Sequence, residues 1–424
     1  MTTTKNNEHK KLNFSSEREQ SQACLNSAEH EKNQGRKVLN VPNLRFKEFQ
    51  GEWEEKRLSE IADLFKGNGI SKEQLTDTGE PCILYGELYT KYKSEVISDI
   101  FSKTDIDTRK LVKSKANDVI IPCSGETAVD IATARCVPYD NILLGGDLNI
   151  IRLYDCDGSF MSYQLNGKRK YDLAKVAQGV SVVHLYGDHL KGVRTYNPCL
   201  EEQKKIAKLL SLLDERIATQ NKIIEDLKKL KSAIIEKLYS EIQGKEYSFG
   251  QLFDVVNERN KQMEYSNILS ASQEKGMMNR DDLNLDIQFE RSNINTYKIV
   301  RKGDYVIHLR SFQGGFAFSN KLGVCSPAYT ILRPNNLLEY GYLSNYFTSQ
   351  RFIKSLILVT YGIRDGRSIN VDEWLRMKIT IPPKEHQQYI VKVIGTFERK
   401  IEDEEAYAAH LSKQKQYLLR QMFI

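Results

Sequence analysis

The sequence predicts an α+β protein in which two tandem-repeated globular domains are separated by two long helices that form an antiparallel coiled coil. Three observations lead there. After Pro198, residues 199–240 contain neither proline nor glycine, the two residues that interrupt helices most readily. Within that stretch Ile206, Leu210, Leu213, Ile217, Ile224, Leu227, Ile234 and Leu238 follow steps of four and three, a heptad seam broken only by Gln220 and Lys231. Shifted by 184 residues, the seam returns as Ile390, Ile394, Phe397, Ile401, Ala408, Leu411, Leu418 and Met422, with Glu404 and Lys415 at the polar positions.

A helix with one narrow apolar stripe and charged flanks needs a partner, and the repeat supplies one in the same chain. Parallel pairing of equivalent positions would set Lys231 against Lys415. Antiparallel pairing avoids that clash. Matching the polar layers then puts Gln220 opposite Lys415 and Lys231 opposite Glu404, with Leu213 opposite Met422 and Leu238 opposite Phe397. Such a polar layer fixes register at some cost in stability.

Residues 1–40 are polar and aperiodic, which predicts a disordered arm. The first domain is expected over 41–197. It opens with a dense apolar run (Leu44, Phe46, Phe49, Trp53, Leu58, Ile61, Leu64, Phe65) and continues as short β-like runs between turn residues. A helix around 162–178 is expected to carry the basic cluster Lys168, Arg169 and Lys170. The first long helix occupies 198–243 and Gly244 ends it. Over 244–381 the same blocks recur in the same order at offsets of 181 to 191 residues, and the second long helix follows over 382–424. A helix of about 36 residues spans about 54 Å, more than the ~34 Å of one turn of B-DNA, so paired half-sites on a duplex are a natural target.

Composition narrows the function classes without choosing among them. The chain has 424 residues, and 62 Lys and Arg against 56 Asp and Glu give a net charge of +6, which permits nucleic-acid binding but does not require it. No apolar run approaches the ~20 residues of a membrane span and the amino terminus has no apolar signal region, so a cytoplasmic protein with no membrane partner is expected. Seven cysteines (Cys24, Cys82, Cys123, Cys136, Cys156, Cys199, Cys325) are scattered without a C-x-x-C pair and read as reduced, mostly buried thiols. There is no phosphate-binding P-loop, no methyltransferase motif and no metal-ligand cluster. His184 and His189 flank Asp188 with no third ligand nearby, and Gly145-Gly146 and Gly314-Gly315 read as turn residues. No catalytic residue, metal or cofactor is expected, and the chain reads as a non-enzyme.

Three groups of residues carry a family resemblance. The opening Pro42, Leu44, Arg45, Phe46, Phe49, Trp53, Leu58 and Ile61, the pattern Gly179, Ser181, Leu185, and the helix start at Pro198, Glu202 and Gln203 resemble the specificity subunit of type I restriction-modification systems. In the second half the counterparts are Gly362, with Arg364 or Arg367 in place of the serine, and Pro383 with Gln387. The resemblance covers about 41–424. It implies two target recognition domains joined by an antiparallel helix pair, a bipartite double-stranded DNA site, and docking of two adenine methyltransferase (modification) subunits and two restriction/translocase subunits.

Base-reading residues are sought in loops, because sequence is read by side chains entering a groove while other cations hold phosphates. In the first domain the candidates are Ser124, Glu126, Thr127, Gln178, Ser181 and His184. In the second they are Arg310, Ser311, Gln313, Tyr361, Arg364, Asp365 and Arg367, the arginines being suited to bidentate contact with guanine. Lys113, Lys115, Lys168, Arg169, Lys170, Arg301 and Lys302 are the phosphate candidates. The competing reading is a non-enzymatic scaffold whose paired helices join two peptide-binding domains.

Overall fold

The computed structural model describes residues 39–179, 181–272, 275–283, 291–308, 315–361 and 368–424. The expected arm over 1–40 lies outside these residues except for its last two positions. The chain divides into two compact units, Met1–Glu215 with Lys413–Ile424, and Arg216–Ser412. Each is described in turn.

In the first unit, strands Ala62–Lys66, Leu148–Leu153, Asp118–Pro122 and Arg135–Val137 form a four-stranded antiparallel sheet in that spatial order. A second, five-stranded sheet runs Leu75–Thr76, Ser102–Thr104, Glu80–Ile83, Leu143–Leu144, Val112–Lys113, and only the pair Glu80–Ile83 with Leu143–Leu144 is parallel. Ile120, Ile150, Leu144 and Leu148 pack together on one side, and Val119, Ile121 and Ile151 join Leu58, Met161 and Leu165 on the other. The alternation of side chains along Val119, Ile120 and Ile121 is what allows one strand to serve two cores. Asp118, 1% exposed, is held by the guanidinium of Arg152 through bonds of 2.9 and 2.7 Å. A buried carboxylate without such a partner would cost several kcal/mol. Asn117, at φ 82°, makes the turn that delivers it.

The second unit repeats the four-stranded sheet with a different filling, but beside it Leu269–Ser272 pairs with Gly276–Asn279 and Lys298–Val300 with Gly323–Cys325 as separate ribbons in place of a five-stranded sheet among the described residues. Phe253–Val256, Thr330–Pro334, Tyr305–Ile307 and Phe316–Phe318 form the four-stranded sheet. Asp304, 2% exposed, takes the place of Asp118 and is held by Arg333 through two bonds of 3.0 Å, after a turn at Gly303 with φ 95°. The core here is aromatic: Phe249 stacks on Trp374 at 4.4 Å between ring centres, and Phe253, Phe316, Phe347 and Phe352 pack around them. In both units a two-stranded ribbon closes the domain immediately before a long helix, Glu54–Arg57 with Arg194–Asn197 and Lys245–Ser248 with Lys378–Ile381.

The long helices run Leu200–Ser240 and Lys384–Gln421. A buried glutamine anchors each start. Gln203 donates to the Pro198 carbonyl at 2.8 Å and accepts from the Asp157 N–H at 2.9 Å. Gln387 donates to the Pro382 carbonyl at 3.0 Å and accepts from the Glu339 N–H at 2.7 Å. The counterpart of Pro198 is therefore Pro382, not the expected Pro383. Glu202, wholly buried in the first unit, is gripped by Arg45 at 2.8 Å.

Every seam residue expected from the heptads is buried or half-buried, and within each unit the helices run antiparallel. The register differs from the expectation. In the second unit Lys231 meets Glu398 at 3.5 Å, six positions from the expected Glu404, and Lys228 meets Glu405 at 2.6 Å. Gln220 donates to the carboxylate of Glu404 rather than meeting Lys415. In the first unit Lys415 meets Asp214 at 2.5 Å and also Glu95. Ile206, Ala207 and Leu210, not Leu213, pack with Met422. A six-residue displacement is about 9 Å along a helix. The reason is that the repeat makes any antiparallel register self-consistent, so matching polar layers selects none. The expected register would leave Lys415 opposite the neutral Gln220, whereas the observed one gives Lys415 two carboxylates and keeps one for Lys231.

The surroundings of Lys415 are the most buried of these. Lys415, Asp214 and Glu95 are 14%, 9% and 10% exposed, and the Tyr163 hydroxyl donates to Asp214 at 2.7 Å. Burial raises the Asp214 carboxyl above its ordinary range against the opposing pull of Lys415, and burial raises the Tyr163 hydroxyl. Beside this cluster Trp53, Phe160 and Phe423 stack edge and face at 5.2 to 6.4 Å, so residues 413–424 complete the core of the first unit. Among the described residues no helix is long and apolar enough to cross a membrane.

Two predictions follow from the helix contacts. In a Cys199→Ser background, cysteines at 231 and 398 should crosslink readily under oxidation and cysteines at 231 and 404 should not; the reverse result restores the polar-layer register. Lys415→Met should lower unfolding free energy by about 3 kcal/mol at neutral pH, because two buried carboxylates lose their counter-ion. Burial already raises the Asp214 carboxyl, so its protonation removes an unpaired charge and the deficit should shrink as pH is lowered from 7, as read by urea unfolding at each pH.

Candidate nucleic-acid interface

The sequence candidates of the first domain divide into a cluster and its surroundings. Strand Ser124–Gly125 pairs antiparallel with Val183–His184, placing Ser124 opposite His184, and the Ser124 hydroxyl lies 3.2 Å from His184 Nδ1. Gln178 and His184 exchange backbone hydrogen bonds of 2.9 and 2.7 Å, so Ser124, His184 and Gln178 lie side by side on three adjoining segments. Ser181 is exposed in the turn that joins two of them, and Glu126 is exposed just beyond Gly125. Thr127 caps the helix Ala128–Ile131 by accepting from the Asp130 N–H at 3.1 Å.

The Gly179, Ser181, Leu185 pattern thus has separate parts. Gly179 has φ 127°, and a Cβ there would sit 2.1 Å from the Val182 carbonyl, so only glycine makes this turn. Leu185 is fully buried and donates its N–H to Cys123 at 2.9 Å. Ser181, between them, is exposed.

Two residues of this rim were not singled out by sequence. Tyr186, 43% exposed, stacks on His184 at 6.0 Å and meets the edge of His189 at 5.6 Å. Lys66 places its ammonium 5.5 Å from the Tyr186 ring. The signal for Tyr186 was its position between His184 and His189; Lys66 lies on a strand far away in sequence, and nothing local points to it. Asp188 is paired with Lys191 at 2.7 Å, which holds its carboxyl below the usual range, and among the described residues no group of three metal-ligating side chains occurs.

The phosphate candidates are less uniform than a charge count suggests. Lys115, Lys168 and Lys302 are exposed, and Lys170 is half-buried. Lys113 is paired with Glu80 at 3.1 Å and Arg301 with Glu258 at 2.8 Å. Arg169 is occupied by structure: it meets Asp172 at 3.1 Å, donates to the Ile424 carbonyl at 2.9 Å and covers the Tyr196 ring at 5.3 Å. The single helix expected over 162–178 is two, Gly158–Asn166 and Lys170–Val176. The break falls at Gly167, where a Cβ would come within 2.9 Å of the Tyr163 carbonyl, and this puts Lys168 and Arg169 in the turn.

In the second domain Arg310, Ser311, Gln313, Arg364, Asp365 and Arg367 lie outside the described residues. The described residues on either side of them pair with one another. His308 donates its N–H to Gly315 at 2.8 Å, and strand Thr360–Tyr361 pairs with Ser368–Ile369. Burial holds the His308 imidazole below the usual histidine range. Asn370 donates to the Val359 carbonyl at 2.9 Å, and its side chain caps the helix Val371–Arg376. The Thr360–Tyr361 ladder occupies the place in this domain that the Gln178 and His184 pairing occupies in the first.

Comparison with known proteins assigns this geometry. The chain is 22% identical over 418 residues to the putative type I restriction enzyme MjaX specificity subunit of Methanocaldococcus jannaschii, covering 90% of this chain and 95% of that one. It is 28% identical over 202 residues to the MjaVIII specificity subunit of the same organism, spanning 46% of this chain and 45% of that relative. Among solved structures, the S subunit of a type I restriction-modification system from M. genitalium has a TM-score of 0.56 at 17% identity, covering 91% of this chain and 99% of that chain, which shows a shared fold. A chain from a study of assembly and conformational transition in the type I system has a TM-score of 0.54 at 16% identity, covering 88% and 97%. The family described as "Type I restriction modification DNA specificity domain" matches residues 50–229 and again 244–411, so two copies account for most of the chain. With its duplicated scaffold and its paired long helices, the chain belongs to the type I restriction-modification DNA specificity family.

Proposed function

We propose that the chain is the target-recognition subunit of a type I restriction-modification complex in which each unit reads one half of a bipartite, interrupted double-stranded DNA site. The observation that carries the reading is one scaffold used twice with different residues at equivalent rims. The Asp–Arg pair and the glutamine anchor are kept in both units, while in the sequence repeat Gln178, Ser181 and His184 of the first correspond to Tyr361, Arg364 and Arg367 of the second. Polar and aromatic groups of this kind suit base edges and stacking, and arginine suits guanine. The paired helices would then set the length of the unread spacer.

On this reading the chain acts in the cytoplasm with two adenine methyltransferase subunits and two restriction subunits, and itself performs no chemistry. Membership of a DNA specificity family supports it over the peptide-binding scaffold.

Exchange of 41–197 for another domain of this class should change one half of the methylated sequence and leave the other intact, as read by methylome sequencing of cells carrying the chain with its methyltransferase. Both halves changing together, or methylation by the purified chain alone, would refute the proposal. Arg367→Ala should relax selectivity in the second half-site alone, by about 1 to 3 kcal/mol for a bidentate contact. A uniform loss on all sequences would mark it as a phosphate contact instead.

A further inference from the structure

The second unit carries an apolar feature that its core does not use. In the turn Leu356–Val359, Leu356 and Val359 are buried at 5% and 4%, whereas Ile357 and Leu358 between them are exposed at 72% and 76%, the two most exposed large apolar side chains among the described residues. The buried pair belongs to the aromatic core of Phe316, Phe352 and Trp374, so the exposed pair stands on a rigid base. The preceding helix, Gln350–Ser355, exposes Arg351 and Lys354. With Ile357 they form a stripe at intervals of three, and neither cation enters an ion pair among the described residues. The start of this helix is tied to the long helix Leu200–Ser240, whose Glu236 carboxylate accepts from the Gln350 N–H at 2.7 Å. Immediately after Leu358 the chain enters the ladder Thr360–Tyr361 with Ser368–Ile369.

The first unit lacks this pair. There Leu173 is buried like Leu356, but the next two positions are Ala174 and Lys175. The apolar protrusion is therefore a property of one unit and not of the shared scaffold.

We propose that Ile357 and Leu358 are an apolar wedge that enters between adjacent base pairs of the second half-site, with Arg351 and Lys354 on the flanking phosphates. Exposed aliphatic side chains on a buried apolar base, preceded by free cations, are the combination by which proteins unstack and kink a duplex. A methyltransferase subunit is the other occupant that such a surface could take. The two free cations, Arg351 and Lys354, favour DNA. The inference rests on the DNA-reading role proposed above and assigns a shape-dependent part of the specificity to the second unit.

The test uses the full chain in complex with its methyltransferase subunit, on duplexes end-labelled for energy transfer with the second half-site at the centre. Ile357→Ser with Leu358→Ser should lower affinity tenfold or more and reduce the bend, while leaving the slope of log K against log salt and selectivity at the first half-site unchanged. Arg351→Ala with Lys354→Ala should reduce that slope by about two, one per phosphate contact. Thermal unfolding matching that of the parent chain confirms that each variant is folded. Parental affinity and bend in the serine variant overturn the wedge, as does an unchanged salt slope in the alanine variant. Loss of co-purification with the methyltransferase would also overturn it, by placing the pair at a protein interface. A parent complex indifferent to the second half-site would instead sink the two-reader proposal, a result distinct from failure of the variants alone.

Discussion

A lysine ammonium drawn into a helix seam must find carboxylates there, and this requirement governs how the two long helices meet. The apolar layers could not decide it, since leucine, isoleucine and methionine pack acceptably at several offsets. Lys415 reaches Asp214 and Glu95 in the first unit, and its repeat equivalent Lys231 reaches Glu398, the equivalent of Asp214, in the second. The same chemical demand is met twice by the same pair of positions. The first pair is more buried than the second, with Lys231 at 27% and Glu398 at 44%, so its loss carries the larger cost.

The polar groups that hold the fold are distinct from the candidate rim of the first unit. Asp118 with Arg152, Asp304 with Arg333, and the buried glutamines at the two helix starts are polar groups satisfied inside the protein. The rim residues Ser124, Gln178, Ser181 and Tyr186 contribute little to those networks. Such a division lets the rim vary without unsettling the support, and the cores show how far variation can go. The first is chiefly aliphatic and the second is crowded with aromatic rings, although both sit under the same order of strands.

Much of this was legible in the sequence. The seams, the repeat and the glutamine helix starts are local or periodic features, and heptads report burial directly. What sequence could not give was the offset between two elements far apart in the chain. Gln220 and Glu404 are repeat equivalents, so any antiparallel pairing of their polar layers is arithmetically consistent, and only the reach of real side chains distinguishes among them. The break at Gly167 was missed because one glycine within a basic run is weak evidence against a helix, whereas the close approach of the Tyr163 carbonyl decides it. Lys66 beside Tyr186 is a product of tertiary structure alone. Ser124, Gln178 and His184 were chosen for residue type and turned out to be neighbours.

The docking of residues 413–424 into the first unit has a temporal meaning. Trp53 and Phe160 find Phe423 only after the entire second unit has been made, so on the ribosome the first unit must wait with part of its core open. During that interval an aromatic cavity and the Asp214 carboxylate are exposed together. A chain interrupted before residue 413 would keep both permanently. Completion of the first unit is thereby tied to completion of the second.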